Sequence, residues 1–145
     1  MKKVSGLLLV LFGLFLFLSV ISCSKSSSDS HAINVANISG TYLLTAVTVS
    51  LPPAPPISVM DSIPLCRRDD LIKLNSNMSV YFVDAGTQCV PSGNDTSTWA
   101  LSGTNISIDT LSGTISKFDG HILQINSTLN FMGISVQSTE TLTKQ

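Results

Sequence analysis

From position 38 onward the chain repeats one local pattern: a short run of β-branched and aromatic residues, then a turn built from Gly, Asn, Asp or Ser, then another run. No stretch there carries the 3.6-residue apolar period of an amphipathic helix, so the pattern points to strands. The runs fall at 40–50, 70–75, 78–84, 97–101, 105–109, 114–118, 121–132 and 134–143. Most connectors are tight, among them Ser102-Gly103-Thr104, Ser112-Gly113, Asp119-Gly120 and Gly133. Tight connectors join antiparallel neighbours, and a meander of strands removes its exposed edges by closing on itself. The expected fold is therefore all-β, an antiparallel up-and-down barrel of about eight strands over residues 38–145.

Period-two alternation sorts the side chains of such a barrel into two faces. One face carries Ile72, Leu74, Met78, Val80, Phe82, Trp99, Leu101, Ile106, Ile108, Leu123, Ile125, Leu129, Phe131, Ile134, Val136 and Leu142, and the other reads mostly Ser, Thr, Asn and Gln. The apolar face belongs inside. An eight-strand barrel is just wide enough either to be filled by its own side chains or to hold one small ligand. The candidate ligand contacts are the aromatic residues Tyr42, Phe82, Trp99 and Phe131, each with core packing as its competing reading. One residue breaks the pattern. The parity of Ile134, Val136 and Leu142 in "GISVQSTETLT" places Ser138 and Glu140 on the inward face. A bare carboxylate inside a barrel is costly, so Glu140 turns out through a bulge, sits at a rim, or meets a partner such as a ligand headgroup.

The first 37 residues do not belong to this pattern. Lys2 and Lys3 precede a 12-residue apolar core, Leu7 to Leu18, broken only by Gly13, and Val20-Ile21-Ser22 then leads to Cys23. This reads as a secretory signal peptide over residues 1–22 rather than a membrane span, for which it is at the short limit. Val20-Ile21-Ser22-Cys23 resembles the lipobox of bacterial lipoproteins. That resemblance implies cleavage before Cys23 and acylation of its sulfur with palmitate-class chains, enough to hold the mature chain on a bilayer. Ser24 in place of an Asp at the next position implies the outer membrane, on its periplasmic or cell-surface face. Residues 23–37, rich in serine, then form a lipidated tether.

Two cysteines remain, Cys66 and Cys89, an even pair in an oxidising compartment. They flank the runs "DDLIKLN" and "MSVYFVD", which fold as a hairpin and bring their outer ends together, so a disulfide is expected. Structural zinc wants four Cys or His ligands, whereas the histidines are His31 and His121, so no metal site is expected. No cofactor is expected either. The 19-residue connector 51–69 contains "LPPAPPISV", which reads as a stiff spacer or as a polyproline docking segment.

Charge and chemistry narrow the function further. Without the signal peptide the chain has six basic and nine acidic residues, a net charge of −3, and no basic stripe, so nucleic acid is not an expected partner. Nucleophilic catalysis needs a base beside a Ser or Cys, and His121 beside the Asp119-Gly120 turn is better read as a surface residue. No enzyme is expected.

"SGTYLLTAV", "CRRDDLIKLNSNMSVYF" with "GTQC", "STWALSGTNISI" and the closing "TETLTK" together resemble the lipocalin-like domain lipoproteins of bacterial envelopes. The resemblance spans 38–144. It implies an antiparallel barrel, often with a disulfide at this hairpin, holding an apolar ligand. Lipocalins proper carry Gly-x-Trp on the first strand, with a basic residue stacked on the Trp; the matching positions here are Gly40 and Tyr42, and the sequence identifies no basic counterpart. Two functions follow as expectations: a membrane-anchored barrel binding a small apolar or amphipathic ligand, or a filled barrel that docks another envelope protein through its rim.

Overall fold

The computed structural model describes residues 31–131 and 133–145; the expected signal peptide and Cys23 lie outside the described residues. Among the latter, nine strands form one sheet: β1 Gly40–Ser50, β2 Ile57–Ser58, β3 Leu71–Leu74, β4 Ser79–Val83, β5 Asp95–Ser102, β6 Asn105–Ile108, β7 Leu111–Phe118, β8 Ile122–Phe131 and β9 Ile134–Lys144. From β3 to β9 each strand pairs antiparallel with its neighbour in sequence, and β9 pairs back onto β1 from Tyr42↔Lys144 to Ser50↔Gln137. The eight long-range strands thus close into a barrel, and β2 is an addition. β1 is long enough to serve three partners: its first residues pair with β3, its last with β2, and its other edge with β9.

The connector 51–69 is shorter on regular structure than a strand and richer than a spacer. Val49↔Ile57 and Thr48↔Ser58 add β2 to the sheet, and two 3₁₀ turns, Met60–Ser62 and Leu65–Arg67, carry the chain over the rim to β3. Proline supplies no ladder donor, so pairing resumes only at Ile57, immediately after Pro55-Pro56.

One barrel end is closed and the other open. The closed end receives helix α1, Val35–Ile38, whose N-cap Asn34 accepts a hydrogen bond from the Asn37 backbone N–H at 2.9 Å. Val35 and Ile38 lie on one face, and Ile38 is fully buried. This corrects the tether over its last residues: their apolar spacing was enough to seat them on the barrel floor. Around Ile38 sit Tyr42, Trp99, Leu74 and Val80, all under 3% exposed. Trp99 donates its indole N–H to the Asn75 carbonyl at 2.8 Å, and Tyr42 donates its hydroxyl to the Ile38 carbonyl at 2.6 Å. Both polar tips are satisfied, so both rings are buried at no hydrogen-bonding penalty.

The inward parity of the strands agrees with the sequence except at three places. Ser112-Gly113 is not a turn: β7 begins at Leu111, and Asp109-Thr110 makes the connection, with Asp109 at φ 53°. Asp tolerates that left-handed geometry, so the turn forms without a glycine. Leu129 and Ile134 are each 53% exposed, not inside. The β7 ladder onto β8 ends at Thr114↔Asn126, so the β8–β9 hairpin projects beyond the wall that would have covered them. A bulge between Leu44 and Ala46 leaves Thr45 outside and turns Val47 and Val49 toward Glu140 and Ser138.

Candidate functional site

The floor described above leaves space higher in the barrel. A cavity of about 220 Å³ opens toward the mouth, with Leu44, Ile72, Phe82, Ile108, Leu111 and Leu142 as apolar walls and Asp109, Thr110 and Glu140 as polar ones. Three groups of strands supply the walls: β1 with β9, β3 with β4, and β6 with β7 and their turn. Larger hollows, of about 410 to 480 Å³, lie along outward-facing Ser, Thr and Asn side chains such as Ser107, Ser112, Thr139 and Asn126. The smaller space differs in being ringed by inward-facing apolar side chains from opposite sides of the barrel, with Glu140 among them, so it is the candidate site.

Glu140 faces inward, as the parity requires, and is half-buried. Ser138 donates its hydroxyl to one Glu140 carboxylate oxygen at 2.7 Å, and Ser127 lies 3.4 Å from the other. The Ser127 and Ser138 hydroxyl oxygens are 2.6 Å apart. Since Ser138 has one proton and gives it to Glu140, Ser127 must donate to Ser138. Both serines are nearly fully buried, at 6% and 3% exposure. Of the alternatives open to Glu140, it does not turn out through a bulge: the β1 bulge lies between Leu44 and Ala46, opposite Leu142 and Thr141, and Glu140, paired with Val47, stays inside. Among the described residues no Lys, Arg or His forms an ion pair with it.

The five sequence-predicted ligand contacts separate. Phe82 and Glu140 line the cavity together. Tyr42 and Trp99 do not: they are packed into the floor, where burial pushes the Tyr42 phenol up to about 12. The Phe131 side chain lies outside the described residues. Leu44 and Leu111 were not singled out in sequence, because a cavity wall reads there like any core position.

At the closed end Lys144 holds the place of the basic residue that the sequence did not reveal. Its ammonium sits 5.6 Å from the Tyr42 ring centre and donates to the Asn37 carbonyl at 2.8 Å. Burial lowers its pKa. Its aliphatic stem crosses Gly40, where a Cβ would overlap Lys144 Cε unless the flexible end of the lysine shifted. The register pair Tyr42↔Lys144 was the available signal, hidden by 102 residues of separation.

The rim is held by carboxylates and a disulfide. Cys66 and Cys89 are bonded, with their Cα atoms 5.2 Å apart. Asp84 accepts from the backbone N–H groups of Gly93 at 2.9 Å and Cys89 at 3.2 Å, which holds its carboxyl below the usual range. Asp69 accepts from Thr87 and Asp70 from Ala85. Burial raises Asp70, with Asp84 and Asp69 adding to the effect against the Ala85 hydrogen bond. The loop 84–94 is thus shaped by side chains from β3's approach and by its own first residue.

A family model described as a lipocalin-like domain matches residues 38–130. The chain belongs to the lipocalin-like domain family. No curated protein and no solved structure matches it. In this lipocalin-like chain the matched segment ends within β8, so β9, which carries Ser138, Glu140 and Lys144, lies beyond it. The helix α1 likewise falls almost wholly outside the match. Among the described residues no helix is long and apolar enough to cross a membrane.

Proposed function

We propose that this lipocalin-like protein is an envelope lipoprotein, held on the outer membrane through Cys23, that binds one small apolar or amphipathic molecule in its mouth. The observation that carries the reading is the cavity bounded by Leu44, Ile72, Phe82 and Leu142. At about 220 Å³ it exceeds the roughly 150 Å³ of an apolar cavity that takes up benzene, and falls short of the roughly 300 Å³ at which drug-sized pockets begin. A ring-sized ligand fits; a long acyl chain does not. Native mass spectrometry of the protein purified from membranes should show an adduct of small-molecule mass. Leu44→Trp, which fills the cavity, should abolish the adduct while circular dichroism still reports a folded barrel; an adduct that survives this change overturns the pocket reading. The anchor has its own test: Cys23→Ala should move the protein out of the membrane fraction, and retention there would argue for an uncleaved helix.

A second reading, a protein-docking module, draws on the rim beside the disulfide, where Leu65 and Val90 stand 75% and 99% exposed. Pull-down with the wild-type protein and with Leu65→Ser/Val90→Ser distinguishes it, because those changes leave the cavity untouched.

A further inference from the structure

Resting on that cavity as a ligand site, we propose that its ligand is a small organic cation, a primary amine on a single ring or a compact aliphatic body, and that Glu140 receives the ammonium. The walls around Glu140 are apolar, and the cavity's ionisable lining residues, Glu140 and Asp109, are both acidic. No basic side chain lines it. An anionic ligand such as a carboxylic acid would meet two carboxylates with no counter-charge, and a purely apolar one would leave Glu140 half-buried and unanswered by any cation.

The hydrogen bonding is consistent with an open acceptor. An ionised carboxylate offers about four lone-pair sites. Ser138 occupies one at 2.7 Å and Ser127 approaches another at 3.4 Å, and Ser127 in turn supports Ser138 at 2.6 Å. Ser138, supported by Ser127, orients the carboxylate from the side of the β8–β9 tip and leaves acceptor capacity for a donor on the cavity side, where Leu44 and Leu142 lie. An ammonium has three donors and no acceptor, so it adds hydrogen bonds without displacing the serines. Asp109 stands at the mouth, exposed, with its carboxylate accepting from Ser97 at 2.7 Å; it holds a second negative charge over the entrance. Ser97 and the Thr110 backbone N–H keep that carboxyl below its usual range. Among the described residues the Lys and Arg side chains are placed elsewhere: Lys144 on the floor over Tyr42, Arg67 beside Asp70 and Asp84 on the rim, Arg68 paired with Asp61, Lys117 paired with Asp119, and Lys73 exposed on β3.

The probes are benzylamine, benzyl alcohol and benzoate, one ring with a cationic, neutral or anionic head, titrated into the purified protein by calorimetry at neutral pH. Benzylamine should bind about tenfold or more tighter than benzyl alcohol, the difference a charge-assisted hydrogen bond supplies, and benzoate should not bind measurably. Glu140→Gln keeps an acceptor for Ser138 and should bring benzylamine down to the level of benzyl alcohol, while its melting temperature stays at or above that of the wild type. Asp109→Asn should weaken benzylamine by a smaller factor that disappears at high salt. Equal affinity for amine and alcohol, or preference for benzoate, overturns the cation inference and leaves the cavity reading standing. Failure of all three probes to bind, with the barrel folded, overturns both.

Discussion

Tyr42 shows how one side chain joins sequence, packing and titration. Its ring is fully buried against Ile38, its hydroxyl is committed to the Ile38 carbonyl, and the Lys144 ammonium lies above the ring. Burial raises the phenol to about 12 from an ordinary value of 10.0. A raised acid favours its protonated form in the folded state, so its contribution to stability is complete below pH 10 and is lost as pH climbs toward 12. Tyr42→Phe should therefore show two effects in denaturant unfolding. At pH 7 it should be less stable by about 1–3 kcal/mol, because the Ile38 carbonyl is left without its donor. Between pH 10 and 12 its stability should fall less than the wild type's. Parallel decline of the two proteins across that window would show that Tyr42 does not titrate in the unfolding equilibrium. Burial lowers the Lys144 pKa, an effect of the opposite sign, and Lys144 is present in both proteins, so the difference between them reports on Tyr42.

At the scale of elements, the hairpins around the cavity depend on two covalent and steric facts. The Cys66–Cys89 bond spans a separation of 23 residues and ties the approach to β3 to the loop after β4. Closing a loop of that length constrains the unfolded chain by about 3 kcal/mol. Cys66→Ser and Cys89→Ser should each lower unfolding free energy by that order, and the double variant should cost scarcely more than either, since one bond is lost in all three. Gly113 is the steric fact. It lies inside β7 opposite Ile106, and a Cβ there would meet the Asn126 carbonyl oxygen and sit 2.8 Å from Ile125 Cγ2. Gly113→Ala should destabilise by about 1–3 kcal/mol through overpacking, measured by chemical denaturation, although alanine elsewhere in a strand usually improves on glycine. A gain in stability would show that β8 yields easily there. The sequence reveals the strands, their inward parity and the disulfide because each is encoded within one run or one hairpin. It hides what depends on pairing across the closure: the role of Gly113, the bulge at Thr45 and the Lys144–Tyr42 contact all join residues from different strands. The site was half legible for the same reason. Phe82 and Glu140 announce themselves by size and charge, whereas the difference between a wall such as Leu44 and a floor such as Trp99 is a matter of depth along the barrel, which alternation does not contain.

For the molecule as a whole, the closed end and the mouth should differ in firmness, and the backbone ladder says where the change occurs. Asp119 N–H donates to the Ile122 carbonyl and Lys144 N–H to the His121 carbonyl, which fixes the phase of β8. In an antiparallel ladder alternate residues turn their backbone groups to opposite neighbours, so Leu123, Ile125, Ser127 and Leu129 bond to β9 while Gln124, Asn126, Thr128 and Asn130 turn toward β7. The β7 ladder stops at Thr114↔Asn126, and Thr128 and Asn130 therefore face a side of the hairpin where no described strand pairs with them. Leu123 and Ile125, by contrast, have partners on both edges and side chains with no solvent exposure. Native-state hydrogen exchange followed by NMR should rank the amides in that order: Leu123, Ile125 and Leu142 slowest, near the rate set by global unfolding, and Thr128 and Asn130 faster by orders of magnitude. Protection of Thr128 and Asn130 equal to that of Leu123 would require a further strand along the free edge, and the barrel would have to be regarded as part of a larger sheet. The same ordering bears on the mouth, because Ser138 and Glu140 sit on β9 just below the projecting tip. A hairpin tied firmly at Leu142 and loosely above Ser127 gives a fixed carboxylate beside a wall that can move, so a ring-sized molecule could enter without disturbing the Trp99 floor. Fluorescence from the single tryptophan should stay constant when the mouth is filled, while the exchange of Thr128 and Asn130 slows.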